Sequence, residues 1–298
     1  MKLSIGLLGA ESLAGGDFTV LRDIVAMADR KGIDQVSVVD HVVMGTDFSE
    51  YPDQPFRGAS DYPFLEPLVE LGTYAAVTSN IRLSSGIVIS PLRSAVLLAK
   101  QIATLDVLSL GRVEIGLGVG WQSAEYAASG IDFANRYEIL EEQIRVCRKL
   151  WSGRDVSFHG KHIRFENITA MPQPIQGGNV PIWLGVGLKR RNVERLAELC
   201  DGWAPMALDI LQLKAGVEAL RHAFEARGRD PDALQVRQTY EIRRGGDGKV
   251  SLEQTLARTK EYANAGATVM AIPVRRFCRR LEDVEPFLER VVQEKGVA

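Results

Sequence analysis

Eight short apolar runs alternate with amphipathic segments along the chain, and this rhythm constrains the fold more than any single motif. The runs lie at 3–8 (LSIGLL), 35–39 (QVSVV), 81–90 (IRLSSGIVIS), 112–120 (RVEIGLGVG), 180–186 (VPIWLGV), 202–206 (GWAPM), 234–242 (LQVRQTYEI) and 267–274 (ATVMAIPV). Near-continuous apolar strands are what a parallel sheet requires when helices cover it. Helical patterns fill the intervals at 18–31, 63–78, 94–108, 136–151, 189–199, 209–227, 251–265 and 281–294. Asp17 is placed to cap the first of these and Gly32 to end it. Eight such units over 298 residues predict a (β/α)8 TIM barrel occupying 1–298 as one domain, rather than an open doubly wound sheet. Residues 152–179 break the rhythm: SFHGKHIRFENI reads as a small β-hairpin and MPQPIQGGN as a connecting loop, an insertion within the domain.

Charge and composition exclude several classes of function. The 36 Lys and Arg nearly balance 38 Asp and Glu, with no basic stripe to hold a nucleic acid. Hydrophobic residues at 46% and charged residues at 25% suit a packed core and argue against disorder. Cys147, Cys200 and Cys278 are odd in number and widely spaced, so they predict no disulfide framework and no metal site, in keeping with a reducing cytoplasm. No apolar run is long enough to span a membrane. The opening MKLSIGLLGAESLAGG is interrupted by Glu11 and reads as a first strand rather than a secretion signal. There is no G-x-S-x-G elbow and no Walker loop.

In a barrel of this type ligands bind where the strands end. The second run ends at Asp40-His41, the third holds Ser85-Gly86-Ile87, and the fourth ends in Gly116-Leu117-Gly118-Val119-Gly120-Trp121. The fifth ends in Gly185-Val186-Gly187-Leu188, followed by Lys189, Arg190 and Arg191; Trp203 and Arg275-Arg276 follow later strands. His41 is either a proton carrier, since imidazole titrates near neutrality, or a hydrogen-bonded structural residue. The GLGVG run has no acidic residue at the spacing of a dinucleotide fingerprint; it either packs closely or lets a flat ring approach the backbone. Glycines, cations and a helix start coincide at 185–191, which favours a phosphate. The Arg275, Arg276, Arg279 and Arg280 cluster reads first as a solvated face. The long loop 42–64 carries Met44, Phe48, Tyr51, Phe56, Tyr62 and Phe64, with Gly45 and Gly58 at turns, and is a candidate lid or apolar substrate wall.

These residues resemble a known family. The stretches Ser84–Arg112 and Gly111–Gly153, together with FHGKHIRFENITAMPQP and PIWLGVGLKRRNVERLAELCDGW, are similar to the bacterial luciferase-like flavin and deazaflavin oxidoreductases. Within it they are most similar to the branch that uses coenzyme F420. The resemblance covers nearly the whole chain and implies a (β/α)8 barrel with an insertion. It implies that Asp40 and His41 lie at the reactive ring, with His41 assisting proton or hydride chemistry. It implies a non-prolyl cis peptide at Gly86-Ile87 against the back of the ring, cofactor contacts from Asp40, Ser85, Gly118, Val119, Gly120 and Trp121, and a phosphate site at Gly185, Val186, Gly187 and Leu188.

One departure stands out. Sugar-phosphate dehydrogenases of the family carry a catalytic Glu directly after the glycine run, and here that position is Trp121. Glu125 lies nearby in sequence, but the pattern gives no ground for assigning it that part. The expectation is an F420-dependent oxidoreductase passing hydride to or from a small organic substrate. The alternatives are an FMN-dependent monooxygenase supplied by a partner reductase and, from another class, a non-catalytic cofactor-binding barrel. The resemblance further implies a homodimer, while charge balance and the lack of a long apolar run predict no nucleic-acid or membrane partner.

Overall fold

A computed structural model describes residues 1–51, 60–206 and 208–296. The strands are β1 (Lys2–Gly6), β2 (Gln35–Val38), β3 (Arg82–Ser85), β4 (Val88–Ile89), β5 (Val113–Gly118), β6 (Val156–His159), β7 (Arg164–Ile168), β8 (Ile182–Gly185), β9 (Gly202–Trp203), β10 (Gln235–Thr239) and β11 (Val269–Pro273). Eight of them form a closed parallel barrel in the order β1-β2-β3-β5-β8-β9-β10-β11, with β11 returning to β1. This is the (β/α)8 architecture expected. β6 and β7 form the antiparallel hairpin of the insertion, between the helix Arg136–Ser152 and β8.

The helices form where the apolar spacing requires them. In Thr19–Lys31 the buried residues Leu21, Ile24, Val25 and Ala28 make one stripe against the strands, and the helix stops at Gly32 with φ 88°. Asp17 acts one residue earlier than expected: Phe18 holds the cap position, while the Asp17 carboxylate accepts the Thr19 N–H at 2.8 Å. The segment read as one helix over 251–265 is two short ones, Leu252–Leu256 and Thr259–Asn264. The third apolar run is also divided. β3 ends at Ser85, the chain steps at Gly86-Ile87, and β4 then pairs with β5 at Leu117 and Gly118.

Below its mouth the barrel is plugged by a polar layer. Arg237 donates to Ser84 Oγ at 2.8 Å, to Gln35 Oε1 at 3.1 Å and to the Ser85 carbonyl at 2.6 Å. Gln35 donates to Glu114 at 2.7 Å, and Arg82 pairs with the same carboxylate. Burial pushes the Arg237 guanidinium down to about 10, still charged at neutral pH. Arg82 balances the Glu114 carboxylate, and the Arg237 charge is met by three neutral acceptors, since a buried ion must be hydrogen-bonded. Among the described residues, no helix is long and apolar enough to cross a membrane.

Candidate active site

The floor of the barrel mouth is built from backbone. The Gly86-Ile87 peptide is cis, as the resemblance implies. Gly86 is exposed and Ile87 half-buried, whereas Ser84 and Ser85 just before them are fully covered. The Ile87 side chain lies across two neighbouring strands. A Cβ on Gly118 would fall 2.7 Å from Ile87 Cδ1, and one on Gly185 would fall 2.4 Å from Ile87 Cγ2. A Cβ on Gly116 would fall 2.2 Å from the Ser85 carbonyl oxygen. The glycines of β5 and β8 thus make room for the step at 85–87. Of the two readings of the GLGVG run, close packing accounts for Gly116 and Gly118. Gly120, at φ 60°, turns the chain over Ile89 into Trp121.

One wall comes from β2 and β5. His41 follows β2, and its Nδ1 lies 3.2 Å from Oε2 of Glu125, whose side chain is 0% exposed. The other Glu125 oxygen accepts the Val42 N–H at 2.6 Å. Glu125 sits on a short helix, Ser123–Ala128, that the sequence pattern did not reveal. Phe64 packs edge-on to the His41 ring at 4.8 Å, and Trp121 does so at 6.0 Å. Tyr51 and Phe48 continue this aromatic wall around Trp121. The loop after His41 is fastened to the β5 side: Gln122 accepts the Gly45 N–H at 2.7 Å and donates to the Asp47 carbonyl, while Ser123 donates to Glu50. On the other side Tyr62 accepts from the Gly9 N–H and donates to Glu11, which sets Phe64 in place. Phe56 and Gly58 lie outside the described residues.

Two expected site residues turn their side chains inward. Asp40 does not join His41. Its side chain is 1% exposed and is taken up by Arg93, at 2.6 and 3.0 Å, and by the Ile89 N–H at 2.7 Å. Ser85 is 0% exposed, and its hydroxyl closes on Gly116, donating to the carbonyl and accepting the N–H. Neither side chain has a surface to offer a cofactor. Gly118 and Val119 are also buried, the Val119 carbonyl accepting the Tyr126 hydroxyl at 2.6 Å. Gly120 and Trp121 remain half-open to the mouth.

The opposite rim is cationic. After β8, Gly185 and Leu188 are half-buried, Val186 is nearly covered, and Gly187 is exposed. The helix Arg190–Leu199 begins here with no side-chain cap, and Lys189, Arg190 and Arg191 are all exposed. Its first N–H groups and these cations face the same solvent, a setting that attracts anions. Arg275 is instead engaged with Ser12, and Arg280 with Glu282 and Asp283. The three cysteines are free and buried. Burial pushes each thiol up to about 12.

Comparison with known proteins agrees with this architecture. Two solved structures cover the entire chain: monooxygenase RslO1 from Streptomyces bottropensis (TM-score 0.78, 21% identity, 99% of that chain) and an F420-dependent secondary alcohol dehydrogenase (TM-score 0.77, 17% identity, 100% of that chain). At those identities they establish the fold. Among curated sequences, an uncharacterized protein of Mycobacterium bovis is 34% identical over 56% of this chain and 58% of its own length. A flavin-dependent trigonelline monooxygenase, oxygenase component, of Acinetobacter baylyi is 30% identical over 54% of this chain and 41% of its own. The matched stretch thus spans about half the length of these relatives. An F420-dependent glucose-6-phosphate dehydrogenase of Kineococcus radiotolerans is 29% identical over 87% of this chain and 72% of its own. The family model for luciferase-like monooxygenases matches residues 3–268, and the chain belongs to that family.

Proposed function

We propose that the chain is an F420-dependent oxidoreductase that transfers hydride between the deazaflavin and a small organic substrate. The observation that carries this reading is the cis step at exposed Gly86 and half-buried Ile87, just after β3, between the His41 wall that follows β2 and the anion-attracting Gly187–Arg191 segment after β8. The residues present fit such a cofactor. A flat ring needs a floor from which no side chain rises, and the accessible strand positions at the mouth are small: Gly6, Ser37, Gly86, Gly185, Thr239 and Ala271. A phosphate needs unpaired N–H groups and positive charge, and a Cβ on Gly187 would meet nothing within 4 Å.

When bound, the deazaflavin supplies the carbon that gives or takes hydride. His41 holds or receives the proton of the substrate oxygen, since Nδ1 is occupied by Glu125 and Nε2 has no protein partner among the described residues. Phe64 and Trp121 exclude water around the imidazole. Trp121 at the place of the family's acidic residue argues for an uncharged, apolar substrate over a sugar phosphate.

The alternative is an FMN-dependent monooxygenase, supported by the flavin-dependent relative matched above. Paired fluorescence titrations with coenzyme F420 and FMN separate the two. Coenzyme F420 is expected to bind at least about tenfold more tightly, a difference of ~1.4 kcal/mol. A preference for FMN would sink the reading and direct attention to oxygen uptake and a partner reductase. Within the F420 reading, His41→Ala is expected to lower kcat by about 10²–10⁴ with cofactor affinity held.

A further inference from the structure

We propose that Glu125 is the positioning residue for His41. It fixes the tautomer that carries hydrogen on Nδ1, so that Nε2 is the nitrogen that exchanges a proton with substrate. The inference rests on the proposed role of His41 as proton carrier. It explains how the site works without an acid at position 121: the carboxylate acts on the imidazole from behind, not on the substrate.

The geometry leaves Glu125 no other task. Its side chain is 0% exposed, so it cannot touch a ligand in the mouth. Its Oε1 is held by the Val42 N–H at 2.6 Å, which fixes the carboxylate plane and presents Oε2 to His41 Nδ1 at 3.2 Å. A carboxylate accepts hydrogen bonds and cannot donate them, so the neutral imidazole must place its hydrogen on Nδ1 to satisfy this contact. Its lone pair is then on Nε2. The His41 side chain is itself only 11% exposed, with Phe64 and Trp121 packed edge-on to the ring, and flipping the ring would replace Nδ1 by a carbon at Glu125 and forfeit that contact. A partner 84 residues away, delivered by a different β–α unit, ties the β2 and β5 loops together at the point where the proton would move.

Glu125→Gln reverses the donor pattern with almost no change in shape. The Val42 N–H holds the amide oxygen, so the amide NH2 must face Nδ1 and donate to it. The hydrogen of the imidazole then moves to Nε2, the wrong nitrogen for accepting a proton. The test is histidine side-chain NMR on the full-length protein, with the His41 resonance identified by its loss in His41→Gln. The wild-type protein is expected to show the Nδ1–H tautomer and Glu125→Gln the Nε2–H tautomer. Turnover is expected to fall by about 10²–10⁴ in kcat, with coenzyme F420 affinity changed less than about threefold. Glu125→Asp, which restores an acceptor on a shorter arm, is expected to recover the Nδ1–H signature and part of the rate. An Nε2–H tautomer in the wild-type protein would overturn the inference, and that spectrum needs no variant to fold. An unchanged tautomer in Glu125→Gln would also overturn it, whatever the rate. A switched tautomer with unaltered turnover would instead overturn His41 as the proton carrier, and with it the catalytic meaning of Glu125.

Discussion

Replacing Gly185 with alanine tests the account of the floor without any assumption about the reaction. The new Cβ would sit 2.4 Å from Ile87 Cγ2, against an ordinary carbon–carbon contact of about 3.5–4.0 Å, so one partner must move by about 1 Å. The strand backbone is hydrogen-bonded on both sides, to β5 and to β9, and will not yield first. Ile87 is half-buried with the mouth above it, so it moves upward into the space assigned to the cofactor ring. Overpacking of this kind costs about 1–3 kcal/mol. With an unfolding entropy of about 2.1 cal/mol/K per residue, 298 residues give ~0.6 kcal/mol/K, and the expected fall in Tm is about 2–5 °C. Calorimetry gives the Tm, and cofactor titration should show at least about tenfold weaker binding. Two comparisons frame the result. Gly116→Ala puts its Cβ 2.2 Å from a backbone oxygen that cannot rotate away and should cost more than Gly185→Ala, whereas Gly187→Ala meets nothing within 4 Å and should leave Tm unchanged. Adding Ile87→Ala to Gly185→Ala should restore Tm beyond the sum of the single effects, because the clash has one named partner. If Gly185→Ala is as stable as Gly187→Ala, or if Ile87→Ala gives no relief, the argument that these glycines exist to seat Ile87 is wrong.

Two further outcomes follow from buried groups. Burial, with Glu11 and Glu66 nearby, raises the Glu70 carboxyl from 4.5 to about 7, although Tyr74 donates to it at 2.5 Å. The folded state therefore holds a proton that the unfolded state has released between those values, and stability should fall as pH rises through that window, by at most about 3 kcal/mol. Glu70→Gln should flatten the profile of Tm between about pH 5 and 8, and parallel profiles would refute the assignment. Cys147, Cys200 and Cys278, all buried with thiols pushed up to about 12, should resist a thiol-specific reagent in the native protein and react together on unfolding. Rapid labelling of the native protein would contradict that.

The barrel was legible because each β–α unit carries its own signal: a continuous apolar strand, then a helical stripe such as Leu21, Ile24, Val25 and Ala28. What depended on distant partners was not. Gln35, Glu114 and Arg237 sit on three different strands, and their pairing spans 79 and 202 residues, so no local period marks them as one layer. The break of the third strand at Gly86 is hidden for the opposite reason. The apolar run continues through Ile87, Val88 and Ile89, and only the glycines of β5 and β8 record that a side chain crosses them. Glu125 looked like one more charged residue in a loop. Its neighbour Tyr126, also fully buried, was the available sign that this short segment turns inward.

The separation of Asp40 from His41 follows from the backbone. Consecutive side chains of a strand point to opposite faces, and Asp40 and His41, just past the end of β2, keep that opposition. His41 faces the wall of Phe64 and Trp121, and Asp40 turns into the protein, where Arg93 neutralises it. That burial has a use. Through the Ile89 N–H and Arg93, Asp40 grips the chain just beyond Gly86-Ile87, while Gln143 holds the Ser90 and Arg93 carbonyls from the helix Arg136–Ser152. Asp40 therefore supports the floor while its neighbour lines the wall. The carboxylate that meets the His41 ring comes instead from Glu125, on the short helix after β5. Because the Glu125 side chain is 0% exposed, that carboxylate reaches the imidazole and not the open mouth, while Phe64 and Trp121 supply the apolar surroundings of the ring.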